Sequence, residues 1–373
     1  MRARGAGASR AAHPVTIGKT VDDTTAMQRA IEVAWTARLR SSPNPWVGCV
    51  IECSDGRIVE GATERPGGRH AEMVALDAAG TEGAKGSTLW VTLEPCSHVG
   101  RTGACARSII DAGVARVVVA LEDPDPKVSG KGIAMLVEAG IEVVVGEQQE
   151  AVRAQLAPYL KHRQTGLPWV VLKMASTLDG RSAAPDGSSQ WITGGAARAD
   201  AHQLRAESDA IVVGAGTIRA DDPSLTVRHV DGPDPLRVVL GSIPANARVQ
   251  PAIEHQGDLQ ELLEMLGERG VLQVLVEGGA AVAGGFHREG LVDHYVIYIA
   301  PALFGGDDAR AMMTGHGAST MEDLWRGAIT KVTQLGGDLR LDLSPIAPSQ
   351  VTGPVPVVRL EDGGPATRGQ GGI

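Results

Sequence analysis

The sequence predicts an α/β protein built from two successive domains, and three observations carry that prediction. Helix-period segments alternate with short apolar, β-branched runs along most of the 373 residues, the pattern of βαβ units with mainly parallel strands. The alternation breaks in a helical stretch after residue 146 and resumes at Trp169, as expected for about two domains of roughly 150 residues each. The chain is 43% hydrophobic but only 3% aromatic, with 48 Gly. With its abundant Ala and Val, that is the make-up of a globular α/β enzyme and not of a disordered or fibrous chain.

Taken in order, residues 1–22 are rich in Ala, Gly and Arg without any period, and are expected to be a disordered leader. The first domain, 23–146, opens with apolar residues at helical spacing (Met27, Ala30, Ile31, Ala34) in a helix over 24–40. A Pro-Asn-Pro turn at Pro43 to Pro45 precedes a strand over 47–51. His70 opens a helix that Gly80 closes; strands follow over 88–93, 116–121 and 141–145, with helices starting at Cys105 and Gly132. A helical connector spans 147–167 and ends at Gly166. The second domain, 168–345, has strands over 170–175, 210–213, 238–240, 271–276 and 295–300, and helices over 196–207, 259–268 and 281–288. Residues 339–343 add an edge strand, and no strand is legible between Ser242 and Leu259. The Pro/Gly-rich stretch 346–373 is expected to be a disordered tail.

The formal charge is −9, and Lys and Arg cluster only at the short run of Arg2, Arg4 and Arg10. A nucleic-acid-binding face is therefore not expected; a local basic pocket for one small anion is still compatible with that charge. Four cysteines in a chain this long, without an apolar signal region, point to the cytoplasm. No stretch approaches the length of a membrane span, so no membrane partner is expected.

The chemistry is concentrated in a few residues. His70-Ala71-Glu72 is followed by Pro95-Cys96 and then Cys105. A catalytic zinc takes three nitrogen or sulfur ligands and keeps one position open for water. One His and two Cys supply three ligands, and Glu72 is left over. A free carboxylate beside a metal-bound water is what hydrolytic deamination needs. The metal lowers the water's pKa toward ~7, and the carboxyl carries the proton to the departing amine. Residues two apart on an ideal helix diverge, but the first turn of a helix can aim both past its end. Cys96 and Cys105 lie near another helix start, where unpaired N–H groups favour thiolates. The two cysteines are nine positions apart, wider than the P-C-x-x-C of the zinc deaminase signature. Read alone, His70 also fits a solvated helix start, and the cysteines a buried core. An all-thiolate structural site that included Cys49 and Cys53 would leave Glu72 without a role.

In the second half the dinucleotide fingerprint is absent, because Gly214-Ala215-Gly216 is followed by Arg219 where a third glycine would stand. Glu277-Gly278-Gly279 is better placed, after a strand and before a helix. Glycines there let the backbone approach a pyrophosphate, and the helix N-terminus offers it N–H groups. An ordinary strand-to-helix turn has the same pattern.

The run Thr92-Leu93-Glu94-Pro95-Cys96-Ser97-His98, with Gly100-Arg101-Thr102 and Cys105, resembles the bifunctional riboflavin-biosynthesis deaminase–reductases, whose two zinc cysteines are also widely spaced. Pro43-Asn44-Pro45-Trp46-Val47-Gly48-Cys49-Val50 and Asp123-Pro124-Asp125-Pro126 are similar to other signatures of the deaminase half. Ser176-Thr177-Leu178-Asp179-Gly180, Ser189-Gln190-Trp191-Ile192-Thr193, the run 220–228 and Val276-Glu277-Gly278-Gly279 are similar to those of the reductase half. The resemblance covers about residues 24 to 345. The departures are Val99, Gly103 and Ala104, where the family has a His and two prolines.

The resemblance implies a cytidine-deaminase-like three-layer α/β/α domain followed by a dihydrofolate-reductase-like α/β domain, and Zn2+ and NADPH as cofactors. It implies a pyrimidine ribosyl phosphate as the small-molecule substrate, and a homo-oligomer, dimer or tetramer. The activity would be deamination of 2,5-diamino-6-ribosylamino-4(3H)-pyrimidinone 5′-phosphate, then NADPH-dependent reduction to 5-amino-6-(5-phosphoribitylamino)uracil. Metal ligands would be His70, Cys96 and Cys105, and catalytic residues Glu72 and Asp221, the latter relaying a proton or positioning the reacting carbon. Cofactor contacts would fall at Ala175, Trp191, Thr217, Asp221, Ser242 and the backbone from Gly279 to Gly285. Substrate contacts would fall at Asn44, His98, Arg101, Lys173, Ser189, Arg205, Leu225, Arg228 and Glu277, with Arg205 and Arg228 offering forked donors to the sugar phosphate. Two other readings stay open on the residues alone: a zinc deaminase for a nucleoside or a tRNA adenosine, and a zinc-stabilised binding protein with a degenerate second half.

Overall fold

The computed structural model describes residues 21–97, 103–345 and 357–360. Its contacts divide the chain into two units, Met1–Gln164 and Thr165–Ile373. Among the described residues, no helix is long and apolar enough to cross a membrane.

The first helix of the first unit is capped by Asp22, the last residue of the expected leader. Its carboxylate accepts the Thr25 N–H at 2.9 Å and caps α1 (Asp23–Trp35). Residues 1–20 of that leader lie outside the described residues. Then come β1 (Gly48–Glu52), β2 (Ile58–Ala62), α2 (Ala71–Ala84), β3 (Thr88–Val91), α3 (Cys105–Asp111), β4 (Arg116–Val119), α4 (Lys131–Glu138), β5 (Glu142–Val145), α5 (Gln149–Gln155) and α6 (Ala157–Thr165). The sheet order is β2-β1-β3-β4-β5; β1 is antiparallel to both neighbours, and β3, β4 and β5 run parallel. Gly48 and Gly61 show why helices cover both faces. A Cβ on Gly48 would stand 1.9 Å from the Ala30 carbonyl of α1, and one on Gly61 would stand 2.1 Å from the Ala71 carbonyl of α2. Gly48 pairs with Ala62, and Gly61 with Cys49. The two glycines therefore face opposite sides, which sets α1 on one face and α2 on the other. Gly80 does not end α2 as expected from sequence. It is left-handed (φ 70°) and kinks the helix, which continues to Ala84.

The second unit contains β6 (Trp169–Thr177), β7 (Arg181–Ala183), α7 (Gly195–Ala206), β8 (Ala210–Gly214), α8 (Ala215–Asp221), β9 (Leu236–Leu240), β10 (Ile253–His255), α9 (Leu259–Glu268), β11 (Gln273–Val276), α10 (Ala280–Arg288), β12 (His294–Ala300), β13 (Arg310–Ala311), β14 (Ala328–Leu335), β15 (Asp338–Ser344) and β16 (Val357–Leu360). Nine of these strands form one sheet in the order β10-β9-β8-β11-β6-β12-β15-β14-β16. From β10 to β12 the strands are parallel. Alternate side chains go to two cores: Val170, Leu172, Val212, Val274 and Val276 pack with Leu262, Leu266 and Phe286 on one face. Val171, Ile211, Val213 and Leu275 pack with Ala197, Leu204 and Ile218 on the other. Both faces are thus buried, which is why these strands read as continuous apolar runs.

Three further expectations are corrected. The strand over 339–343, expected at an edge, is β15 and lies inside the sheet, paired with both β12 and β14. A strand does exist between Ser242 and Leu259: Ile253–His255 pairs parallel with Val238–Leu240. It is three residues long and carries Glu and His, too short for a period-two signal. In the expected disordered tail, Val357–Leu360 forms a strand parallel to Val332–Leu335; the remainder of that tail lies outside the described residues.

Candidate functional site

In the first unit, the starts of α2 and α3 lie together, so that His70 of one meets Cys105 of the other. His70 is the N-cap of α2 in extended conformation, and Glu72 lies in its first turn. This is the arrangement that lets residues two apart converge. Cys105 is the first residue of α3. His70 Nδ1 lies 3.2 Å from Cys105 Sγ and 3.6 Å from Cys96 Sγ, and the three ligand atoms all fall within 4.8 Å of one another. A tetrahedral zinc with bonds of about 2.3 Å to sulfur and about 2.0 Å to nitrogen separates its ligand atoms by roughly 3.5–3.8 Å, so the donor set fits zinc. The Cys105 N–H, at the helix start, donates to Cys96 Sγ at 3.3 Å. The Cys105 thiol, then His70, pull Cys96 down to about 4, while its bond to Cys96 and burial push Cys105 up. Cys49 and Cys53 are buried and stand outside the cluster.

Glu72 is 3% exposed and is pushed up to about 7 by burial, against the His70 charge that lowers it. It faces a cavity of about 200 Å³ lined also by Asn44, Thr63, His70, Cys96, Asp123 and Tyr159. Asn44, expected from sequence as a substrate contact, is thus on the wall of the same cavity as Glu72. Asp123 and Tyr159 were not singled out there. The Tyr159 hydroxyl, from α6, donates to the Asp123 carboxylate at 3.1 and 3.2 Å, and burial raises both groups. The Asp-Pro-Asp-Pro motif was a signal for Asp123; nothing local marked Tyr159. Glu94 of the Glu-Pro-Cys motif accepts from the backbone of Asp123, Gly130, Gly132 and Ile133. It ties the Cys96 segment to the start of α4. His98 and Arg101 lie outside the described residues.

In the second unit, the carboxyl ends of β8, β9 and β11 and the starts of α8 and α10 come together, the place where open α/β sheets take ligands. Gly279 caps α10, and a Cβ there would lie 3.8 Å from the Thr217 hydroxyl of α8. Gly278 must be glycine because a Cβ would stand 2.4 Å from Val282. Ser242 accepts from Gln256 at 3.3 Å. Gly285 lies inside α10, facing Leu259, away from the helix start. Asp221 ends α8 and is exposed. Trp191 is exposed, with the Arg198 guanidinium 4.6 Å over its ring. Lys173 and Ala175 lie on β6, Lys173 Nζ 5.6 Å from the Tyr298 ring; Ser189 is half-buried in the loop between β7 and α7.

Arg205 differs from its sequence reading as a free fork. Its Nε and Nη2 donate to Glu277 at 3.0 and 2.6 Å, and Nη1 donates to the Thr226 carbonyl at 3.3 Å. Burial alone would raise Glu277, but Arg205 and Lys173 outweigh it and hold the carboxyl low. Arg228 is exposed and gives one N–H to Ser224. Leu225 is buried in the core with left-handed backbone (φ 55°), so what it offers a ligand is its main chain.

Fold and site together define a two-part enzyme, a zinc-binding deaminase followed by a reductase. Residues 20–121 match the cytidine and deoxycytidylate deaminase zinc-binding region, and residues 168–341 match the RibD C-terminal domain. The chain is 40% identical to riboflavin biosynthesis protein RibD of Bacillus amyloliquefaciens over 354 residues, 86% of this chain and 95% of that protein. Among solved structures, Acinetobacter baumannii RibD is similar at TM-score 0.82 with 40% identity, covering 87% and 99% of the two chains. A Thermotoga maritima diaminohydroxyphosphoribosylaminopyrimidine deaminase/5-amino-6-(5-phosphoribosylamino)uracil reductase is similar at TM-score 0.78 with 32% identity and the same coverage. The chain belongs to the RibD family of riboflavin biosynthesis. Its cofactors are zinc in the deaminase half and NADPH in the reductase half.

Proposed function

We propose that the first unit hydrolyses the 2-amino group of 2,5-diamino-6-ribosylamino-4(3H)-pyrimidinone 5′-phosphate, and that the second reduces the ribosyl chain to give 5-amino-6-(5-phosphoribitylamino)uracil. The observation that carries this reading is the cluster of His70, Cys96 and Cys105 with the unligated Glu72 carboxyl beside a cavity. Zinc, when bound, lowers the pKa of a water toward ~7, and NADPH, when bound, supplies a hydride. Glu72 takes a proton from the attacking water and delivers it to the departing amine. A C–O bond forms, the C–N bond breaks and ammonia leaves. Asn44 orients the pyrimidine, with His98 and Arg101 as further contacts. In the second unit, Lys173, Ser189, Glu277 and the Leu225 backbone hold the sugar. Arg228 takes its phosphate, with Arg205 fixing Glu277 beside it. Ala175, Trp191, Thr217, Ser242 and the backbone from Gly279 to Gly285 hold the cofactor, and Asp221 positions the reacting carbon or relays its proton.

A homo-oligomer accords with exposed Leu178, Leu303 and Phe304, drawn together by the Leu178 N–H donating to the Ala302 carbonyl at 2.9 Å; a monomeric mass in sedimentation at micromolar concentration would count against it. The four cysteines are not paired in disulfides, in keeping with the cytoplasm. The site assignment is tested with Glu72→Gln. Ammonia release should fall by about 10²–10⁴-fold, the range for losing a general acid–base group. Zinc content and NADPH oxidation on the deaminated intermediate should persist. Full deamination by that variant would remove Glu72 from the mechanism.

A further inference from the structure

The loop from Asp222 to His229 holds a backbone that its residues do not favour. Asp222, Leu225 and His229 have φ of 39°, 55° and 70°, the left-handed region that non-glycine residues enter at a cost and that clusters where function requires it. Helix α7 keeps the loop there. His202 Nδ1 accepts the backbone N–H of Arg228 at 3.0 Å, and Arg205, three residues on, donates to the Thr226 carbonyl. His202 is 6% exposed, and its ring meets His229 edge-on at 4.9 Å. Burial, then the charges of Arg205, Arg228 and His229, pull the ring down to about 4, so Nδ1 is an open acceptor at neutral pH. A buried neutral acceptor is thus spent on one backbone N–H, and that N–H belongs to the residue whose exposed guanidinium faces solvent.

We propose that His202 is a positioning residue of the reductase, an uncharged acceptor that fixes the Arg228 backbone and so aims its guanidinium at the phosphate of the substrate. This rests on the reading of Arg228 given above. His202 touches no substrate; its effect passes through Arg228.

The test uses the full-length, zinc-loaded protein and the deaminated ribosyl phosphate intermediate, with wild type, His202→Ala, His202→Asn and Arg228→Ala compared. Asn keeps an oxygen acceptor near the position of Nδ1. His202→Ala should raise KM for the intermediate about tenfold, the loss of one buried hydrogen bond. Its kcat should stay within about twofold, its KM for NADPH should not move, and its deaminase rate should show a folded chain. His202→Asn should recover KM to within about threefold of wild type. The proposal is overturned by an unchanged KM in His202→Ala, by His202→Asn being as impaired as His202→Ala, or by kcat and the NADPH KM falling away together with it. If Arg228→Ala raises KM and His202→Ala does not, only the role of His202 fails. If Arg228→Ala leaves KM unchanged, the phosphate reading of Arg228 fails and takes the role of His202 with it.

Discussion

At the scale of single residues, zinc chemistry picks out His70, Glu72, Cys96 and Cys105 from sequence because each residue type carries its own reactivity. The sequence does not mark Tyr159 or His202, since what matters there is a partner distant in the chain: Tyr159 serves Asp123, and His202 serves the backbone of Arg228. Arg205 is the opposite case. Its type suggests a phosphate donor, yet its fork is closed on Glu277 and Thr226. Tyr159→Phe should cost about 1 kcal/mol of stability and raise KM for deamination, with reductase kinetics unchanged; unaltered deaminase KM would separate Asp123 from the substrate. His202 also gives the protein a pH dependence whose sign is fixed. Its folded value of about 4 lies below the ordinary 6.5, so the unfolded chain takes up the proton first as pH falls. Its contribution to stability is full above about 6.5, is lost between there and about 4, and is level below. Between pH 7 and pH 5, wild type should therefore lose more Tm than His202→Asn does.

At the scale of elements, the long periodic segments were legible and the sheet edges were not. Helices α7, α9 and α10 and strands β6, β8 and β12 lie within one or two residues of their expected bounds, because each buries a broad face and shows its period. Strand β2 is an edge strand containing Glu60 and Gly61, β10 has three residues, and β14 has no clean alternation, with a bulge between Ile329 and Lys331, Ile329 exposed and Thr333 buried. Such strands are defined by the neighbour they pair with, which local sequence does not reveal. Gly61 shows how an edge strand supports the active site, since α2 packs onto it just where Ala71 separates His70 from Glu72. Gly61→Ala should push α2 away and destabilise the first unit by about 1–3 kcal/mol or more. Zinc content and deaminase rate should fall while the reductase rate holds; normal zinc loading in that variant would show that α2 can shift without cost.

At the scale of the whole molecule, two units, each with its own sheet, carry two chemistries, and the order of the units matches the order of the reactions. The cofactor requirements separate them. Prolonged chelation should abolish ammonia release and leave NADPH oxidation on the deaminated intermediate intact, while loss of both rates would tie the reductase to the metal. The measurement that bears most directly on the two-step assignment is product identification by mass, with the diaminopyrimidinone ribosyl phosphate incubated with and without NADPH. Without NADPH the account predicts a single product with the mass change of amine-to-carbonyl exchange, and with NADPH a further gain of two hydrogens. A substrate recovered unchanged, or hydrogen gain without prior deamination, would contradict it.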